Sequence, residues 1–203
     1  DFPLMEEFLR SEASADEDRL KRSLRRLRQR IMAALIVRDI GGTISLAGVV
    51  EAMTQLADFT TNYALDFLHR QLAAQFGEPL DQPGRPQRML VIGMGKLGGR
   101  ELNVSSDVDY IFIYPEDGDT AGTPNGGRKI EAYDFFTRLG KRLIAALGEI
   151  TGDGQVFRVD MRLRPFGASG PLVVTFAMLE DYYQEQGRDW ERYAMIKGRL
   201  LGP

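Results

Sequence analysis

Hydrophobic positions change period twice along the chain. Residues 16–40 place Leu20, Leu24, Leu27, Ile31 and Leu35 at helical spacing, and Ser14 or Asp16 stands where a cap belongs. Asp16, Glu17 and Asp18 fall in the first turn, where the helix dipole favours acids. Gly41 and Gly42 break that helix. Residues 44–76 form a second helical region, with Leu46, Val49, Val50, Met53, Leu56, Phe59, Tyr63, Leu65, Phe67, Leu68 and Leu72 as core candidates. His69 lies within it and reads as an ordinary surface or packing histidine. Residues 77–86 are a Pro- and Gly-containing linker. Beyond it the pattern shortens to strands at 89–92 and 108–114. A loop at 115–127, plausible as a mobile one, leads to a helix at 128–150 and a turn at 151–154. Residues 155–164 alternate cleanly. Phe157, Val159, Met161 and Leu163 share one face, and Arg158, Asp160, Arg162 and Arg164 share the other. Two helices, 176–186 and 189–201, complete the pattern. Tyr182, Tyr183, Trp190 and Glu191 in them either pack helices or contact a nucleotide. The expected organisation is a helical segment at 1–80 followed by an α/β unit at 87–203.

Charge and composition remove several classes. The net charge of −3 exerts no overall pull on nucleic acid. The arginines of residues 16–40 read as a solvated face with acidic neighbours, or else as a surface for a partner or nucleic acid. With no cysteine and one histidine, disulfides, thiolate sites and multi-histidine zinc sites are excluded. No apolar run approaches a membrane span, and no signal-peptide pattern opens the chain, so a cytoplasmic protein is expected. Asp1 is not a methionine and Pro203 follows a helical pattern, so a fragment of something longer is expected.

The sharpest chemical signal is Asp107-Val108-Asp109 at the start of an apolar strand. Side chains two apart on a strand point the same way, about 7 Å apart along the chain. Two ionised carboxylates at that distance repel by about 2–3 kcal/mol at an effective dielectric of 20. Such a pair on an apolar strand points to a bound cation, and oxygen donors suit magnesium or manganese. Asp160 is either a third carboxylate ligand among phosphate-binding arginines (Arg158, Arg162, Arg164) or a rung of a surface salt-bridge ladder. Gly98 and Gly99 would let backbone N–H groups approach a phosphate.

Gly93-Met94-Gly95-Lys96-Leu97-Gly98 matches the dinucleotide fingerprint G-x-G-x-x-G. That reading fails in context: only 96–103 is available for the following helix, and the next strand begins rather than ends with acids. A Walker A motif is also absent. Three carboxylates, arginines and a glycine turn are equipment for phosphoryl or nucleotidyl transfer.

Together these residues resemble the polymerase-beta-like nucleotidyltransferase superfamily: a glycine turn, Asp-x-Asp, then a lone Asp on a later strand. More narrowly, the stretch from Gly93 to Asp109, GMGKLGGRELNVSSDVD, with VDMRLRP from Val159 to Pro165, is similar to the bifunctional glutamine synthetase adenylyltransferase/adenylyl-removing family. The resemblance runs from about Arg88 to the chain end. It implies an α+β fold with a small mixed sheet flanked by helices, the segment from 87 onward being the catalytic domain. It further implies Asp107, Asp109 and Asp160 as catalytic metal ligands for Mg²⁺ or Mn²⁺, with Gly98, Gly99 and Ser106 shaping a phosphate pocket. Gly99 stands where many superfamily members have Ser. The stretch LEDYYQEQGRDWERYA from Leu179 to Ala194 is similar to the half of the family that removes AMP from a tyrosine of glutamine synthetase by phosphorolysis, releasing ADP. Adenylylated glutamine synthetase, ADP or AMP, phosphate and a PII signalling protein are the partners this implies. Transfer of AMP from ATP, another nucleotidyltransferase activity and a nucleotide-sensing module are the alternatives.

Overall fold

The computed structural model describes residues 2–11, 16–124 and 126–202. Ser14, one of two candidate caps, lies outside them. Helix α1 (Phe2–Ser11), which periodicity did not single out, buries Met5 and Leu9. Helix α2 (Glu17–Ile40) is capped by Asp16, whose carboxylate accepts from the Arg19 N–H at 2.8 Å. Helix α3 (Leu46–Phe76) is capped by the Ser45 hydroxyl, which accepts from Gly48 N. Each cap satisfies an amide that the first helical turn leaves without a partner. No helix among the described residues is long and apolar enough to cross a membrane.

Strand β1 (Leu90–Met94) leads through the single turn α4 (Gly95–Gly98) to β2 (Val108–Tyr114). Helix α5 (Ala132–Gly148) follows, then β3 (Val159–Asp160), β4 (Val173–Thr175), α6 (Phe176–Asp181), a π-helical turn (Tyr182–Gln186), α7 (Asp189–Met195) and β5 (Arg199–Leu201). The sheet order is β3-β2-β1-β5. Strand β2 pairs antiparallel with β1, and its other edge is shared by β3 and β4, both parallel to it. The result is the expected α+β architecture, a small mixed sheet flanked by helices.

The parity of β2 divides the molecule. Val108, Tyr110, Phe112 and Tyr114 face α3 and α5 in a core that runs from Met5 to Leu201. The Tyr110 hydroxyl is bound there to Thr61 Oγ1 at 2.6 Å. Ile111 and Ile113 face the other side, a thinner layer with Met94 and Val174 beneath Leu163, Leu179, Ala194 and Met195. Asp109 shares the parity of Ile111 and Ile113, so it lies on the thin side.

Four expectations give way to local competition. The strand expected at 155–164 is reduced to Val159–Asp160. Val156 and Phe157 are both buried, which breaks the alternation, and both their amides donate to Leu147 O at the end of α5. Downstream, the Asp160 side chain accepts from Arg162 N at 2.8 Å and turns the chain out of the sheet. The helix expected at 189–201 stops at Met195, because Gly198 permits a turn and Arg199–Leu201 adds to β1 as an antiparallel edge. The helix expected at 128–150 starts only at Ala132, since Ile130 is paired with Thr120. That pairing, with a bridge between Pro79 and Thr120, anchors the preceding loop at Thr120. The arginines of α2 are not all solvated either. Arg25 is 1% exposed, and its guanidinium donates to the carbonyls of Lys21, Ala146, Glu149 and Gly154. It supplies donors to the carboxyl end of α5, whose last turn has no basic residue of its own. His69 is a packing residue: it is buried edge-on against Phe135 and bound to Glu78 at 2.8 Å.

Candidate active site

Strand register assembles the site. In the parallel pair β2–β3, Val108 stands opposite Val159 and Asp109 opposite Asp160. Asp107 precedes Asp109 by two residues and so shares its direction. Distant parts of the chain thereby present three carboxylates to one opening. Asp107, Asp109, Asp160, Arg158, Arg162 and Ser106 line a cavity of about 410 Å³, together with Gly95, Lys96 and Ser105.

The charges in it are paired unevenly. Asp160 is gripped by Arg162, whose Nε lies 2.8 Å from Oδ2 while its amide holds Oδ1. These bonds to Arg162 hold the Asp160 carboxyl below the ordinary carboxylate range. Asp107 pairs with Arg158. Asp109, between them, has no arginine of its own among the described residues. Burial, reinforced by the Asp160 and Asp107 carboxylates, pushes its carboxyl up to about 6. The two arginine side chains are 68% and 80% exposed, against 26% for Asp107 and 12% for Asp160. The acids are therefore held within the fold, while the arginine side chains extend out toward solvent.

Among the described residues, no group of three or more carboxylate or histidine side chains is drawn together as a ready metal cage. The donor set nonetheless fits a hard divalent cation: Asp109 and Asp160 from two hydrogen-bonded strands and Asp107 from just before β2 share one cavity, and the central carboxylate is destabilised as an anion. A cation there would take over the role now filled by the two arginines.

Three expected site residues are not brought to the cavity. Arg164 turns away and donates to the carbonyls of Met161, Ala168, Gly170 and Pro171, so it folds its own loop. Gly98 is buried, and a Cβ there would lie 2.0 Å from Lys197 O and 2.5 Å from Gly93 O, so close packing is what requires glycine. The Gly99 amide donates to Gly95 O at 3.1 Å and is not free for a phosphate. The glycine that meets the carboxylates is Gly95, at φ +56°, where a Cβ would approach Asp109 Oδ2 to 2.7 Å. Sequence reading passed over Gly95, Lys96 and Ser105 as lining residues. The turn forced by Gly95 is the signal that would have brought in its neighbour Lys96. Tyr182 and Glu191 pack: the Tyr182 hydroxyl donates to Glu191 at 2.7 Å, and its ring lies edge-on to Phe166 and Tyr183.

The family model described as glutamate-ammonia ligase adenylyltransferase matches residues 5–203. Among the similar curated proteins is the bifunctional glutamine synthetase adenylyltransferase/adenylyl-removing enzyme of Aromatoleum aromaticum, 54% identical over 99% of this chain and 21% of the relative. The protein of the same name from Pseudomonas aeruginosa is 56% identical over 95% of this chain and 20% of its own length. A third, from Burkholderia pseudomallei, is 55% identical over 91% and 20% respectively. The chain thus spans about a fifth of the length of the curated relatives it matches.

Proposed function

The chain belongs to the glutamate-ammonia ligase adenylyltransferase family, and we propose that it carries the adenylyl-removing activity: phosphorolysis of an AMP–tyrosine linkage on glutamine synthetase to give ADP. The observation that carries this reading is the single cavity lined by Asp107, Asp109 and Asp160 with Arg158, Arg162 and Lys96. The direction of the reaction rests on the 179–194 stretch and its similarity to the adenylyl-removing half. In the reaction, an oxygen of inorganic phosphate attacks the AMP phosphorus. A phosphate–AMP bond forms, the bond to the tyrosine oxygen breaks, and the phenolate leaves and takes up a proton.

The chain's residues supply position and charge. Arg158 and Arg162 are long enough and exposed enough to move from the carboxylates onto phosphoryl oxygens, where a planar fork binds two of them at once. A divalent cation held by Asp107, Asp109 and Asp160 would supply neutralisation of charge on the transferred group. Asp160, released as Arg162 moves to the phosphate, would help hold that cation and so orient the attacking phosphate. Inorganic phosphate at neutral pH is a mixture of mono- and dianion, and both forms present anionic oxygens that can attack without a base.

The test uses the full-length protein with magnesium. In one arm it meets adenylylated glutamine synthetase and labelled inorganic phosphate; in the other, unmodified synthetase and labelled ATP. Labelled ADP in the first arm, abolished by Asp107→Asn while circular dichroism is unchanged, is the expected result. Loss of the ATP arm alone on the same substitution would assign the chain to adenylyl transfer instead.

A further inference from the structure

Building on that nucleotidyl-transfer reading, we propose that Lys96 is the substrate-facing cation of this cavity, a positioning residue whose ammonium binds a phosphoryl oxyanion. Three cations line the cavity, and two are already engaged by carboxylates: Arg158 by Asp107 and Arg162 by Asp160. Lys96 is different. Among the described residues its Nζ donates to a neutral acceptor, Ser106 Oγ, at 3.3 Å, a long bond. An ammonium carries three donors, so its hydrogen-bonding capacity is mostly unspent.

Its aim is built by the fold. The Ser106 hydroxyl donates to Asn103 Oδ1 at 2.7 Å, which turns its lone pairs toward Lys96. Ser106 N is held by Asn103 O, and Asn103 Oδ1 also accepts from Ser105 N at 3.2 Å. The loop between α4 and β2 is thus folded around one asparagine, and it presents a hydroxyl to the lysine. On the other side, the turn at Gly95 brings the chain against Asp109, and Lys96 lines the same cavity as all three carboxylates. The ammonium therefore lies within electrostatic reach of the carboxylate cluster without being neutralised by any one member of it. A phosphate oxygen entering the cavity gains a charge-assisted bond from Lys96 with no ion pair to break first, whereas each arginine must leave a carboxylate. The oxyanion belongs either to the attacking phosphate or to the AMP group, and the two sources separate kinetically.

The experiment compares wild-type, Lys96→Met, Lys96→Arg and Ser106→Ala full-length protein in phosphorolysis of adenylylated glutamine synthetase. Lys96→Met is expected to raise one KM by about 10- to 100-fold, the loss of a bond to a charged group. The KM for phosphate rises if Lys96 holds the nucleophile, and that for the adenylylated protein rises if it holds the AMP group. Lys96→Arg restores part of the loss, Ser106→Ala shows a smaller loss of the same kind, and the melting temperature of Lys96→Met stays at the wild-type value. Both KM values within twofold of wild type would overturn the assignment, as would a defect confined to kcat with a lowered melting temperature. A wild-type protein that makes no ADP but transfers AMP from ATP would refute the adenylyl-removing reading, and the KM for ATP would then decide Lys96 by the same criterion.

Discussion

Replacing Asp109 with asparagine should make the cation-free protein more stable while destroying its site. Asp109 is buried beside two other carboxylates, and its carboxyl rises from 3.8 to about 6. A displacement of that size corresponds to about 3 kcal/mol between the protonated and ionised forms. The cavity is open and solvent screens part of the repulsion, so about 1–2 kcal/mol is the expected cost of keeping Asp109 ionised. The sign follows from linkage. The folded value lies above the unfolded one, so between about pH 4 and pH 6 the folded state binds more protons, and stability falls as pH rises through that window. The penalty is fully present above about pH 6 and absent below about pH 4. The amide of the Asp109→Asn variant does not titrate. In chelator-containing buffer at pH 7.5, Asp109→Asn should therefore melt about 2–8 °C above wild type, since each kcal/mol moves a domain of this size by about 2–4 °C. At pH 4 the two should coincide. Millimolar magnesium should raise the wild type and leave the variant unmoved. Thermal melts across pH read all three. A variant less stable than wild type at pH 7.5 would refute the electrostatic argument, because it would mean that the carboxylate is anchored by bonds that asparagine cannot replace.

Other consequences are more local. Arg25→Met removes donors from four carbonyls in a buried setting, so a loss of about 3–5 kcal/mol is expected in chemical denaturation, a cost tied to stranding buried polar groups. A loss under about 1 kcal/mol would show that water replaces the guanidinium. Arg162→Gln releases Asp160 from its ion pair, so Mn²⁺ binding followed by electron paramagnetic resonance should tighten in the absence of nucleotide, even as phosphorolysis falls. Weaker Mn²⁺ binding would mean that Arg162 shapes the cation site rather than competing for it.

What the chain's pattern could reveal was set by distance along it. That Asp107 and Asp109 point together follows from a period of two, and both line the cavity although β2 begins only at Val108. That Asp160 stands opposite Asp109 depends on a parallel pairing formed across α5, and no local pattern encodes such a register. Arg158, Asp160 and Arg162 do share one opening, as the alternation of 155–164 suggested, although only Val159–Asp160 is strand. The alternation failed at Arg164, because the Asp160 side chain had already bent the backbone at Arg162. Arg25 looked like one more solvated arginine among many. Its burial reflects an unmet need at the end of α5, more than a hundred residues away. Gly98 read as a phosphate contact because glycine permits close approach, and it does so here, to the backbone at Lys197.

A crystal of the protein soaked in Mn²⁺, with data collected at the manganese absorption edge, would examine the three-carboxylate site most directly. An anomalous peak within bonding distance of Asp107, Asp109 and Asp160 together, with the Arg158 and Arg162 side chains moved off their acids, is the predicted result. A cavity in which both arginines still hold their carboxylates and no peak lies among the three aspartates would contradict it.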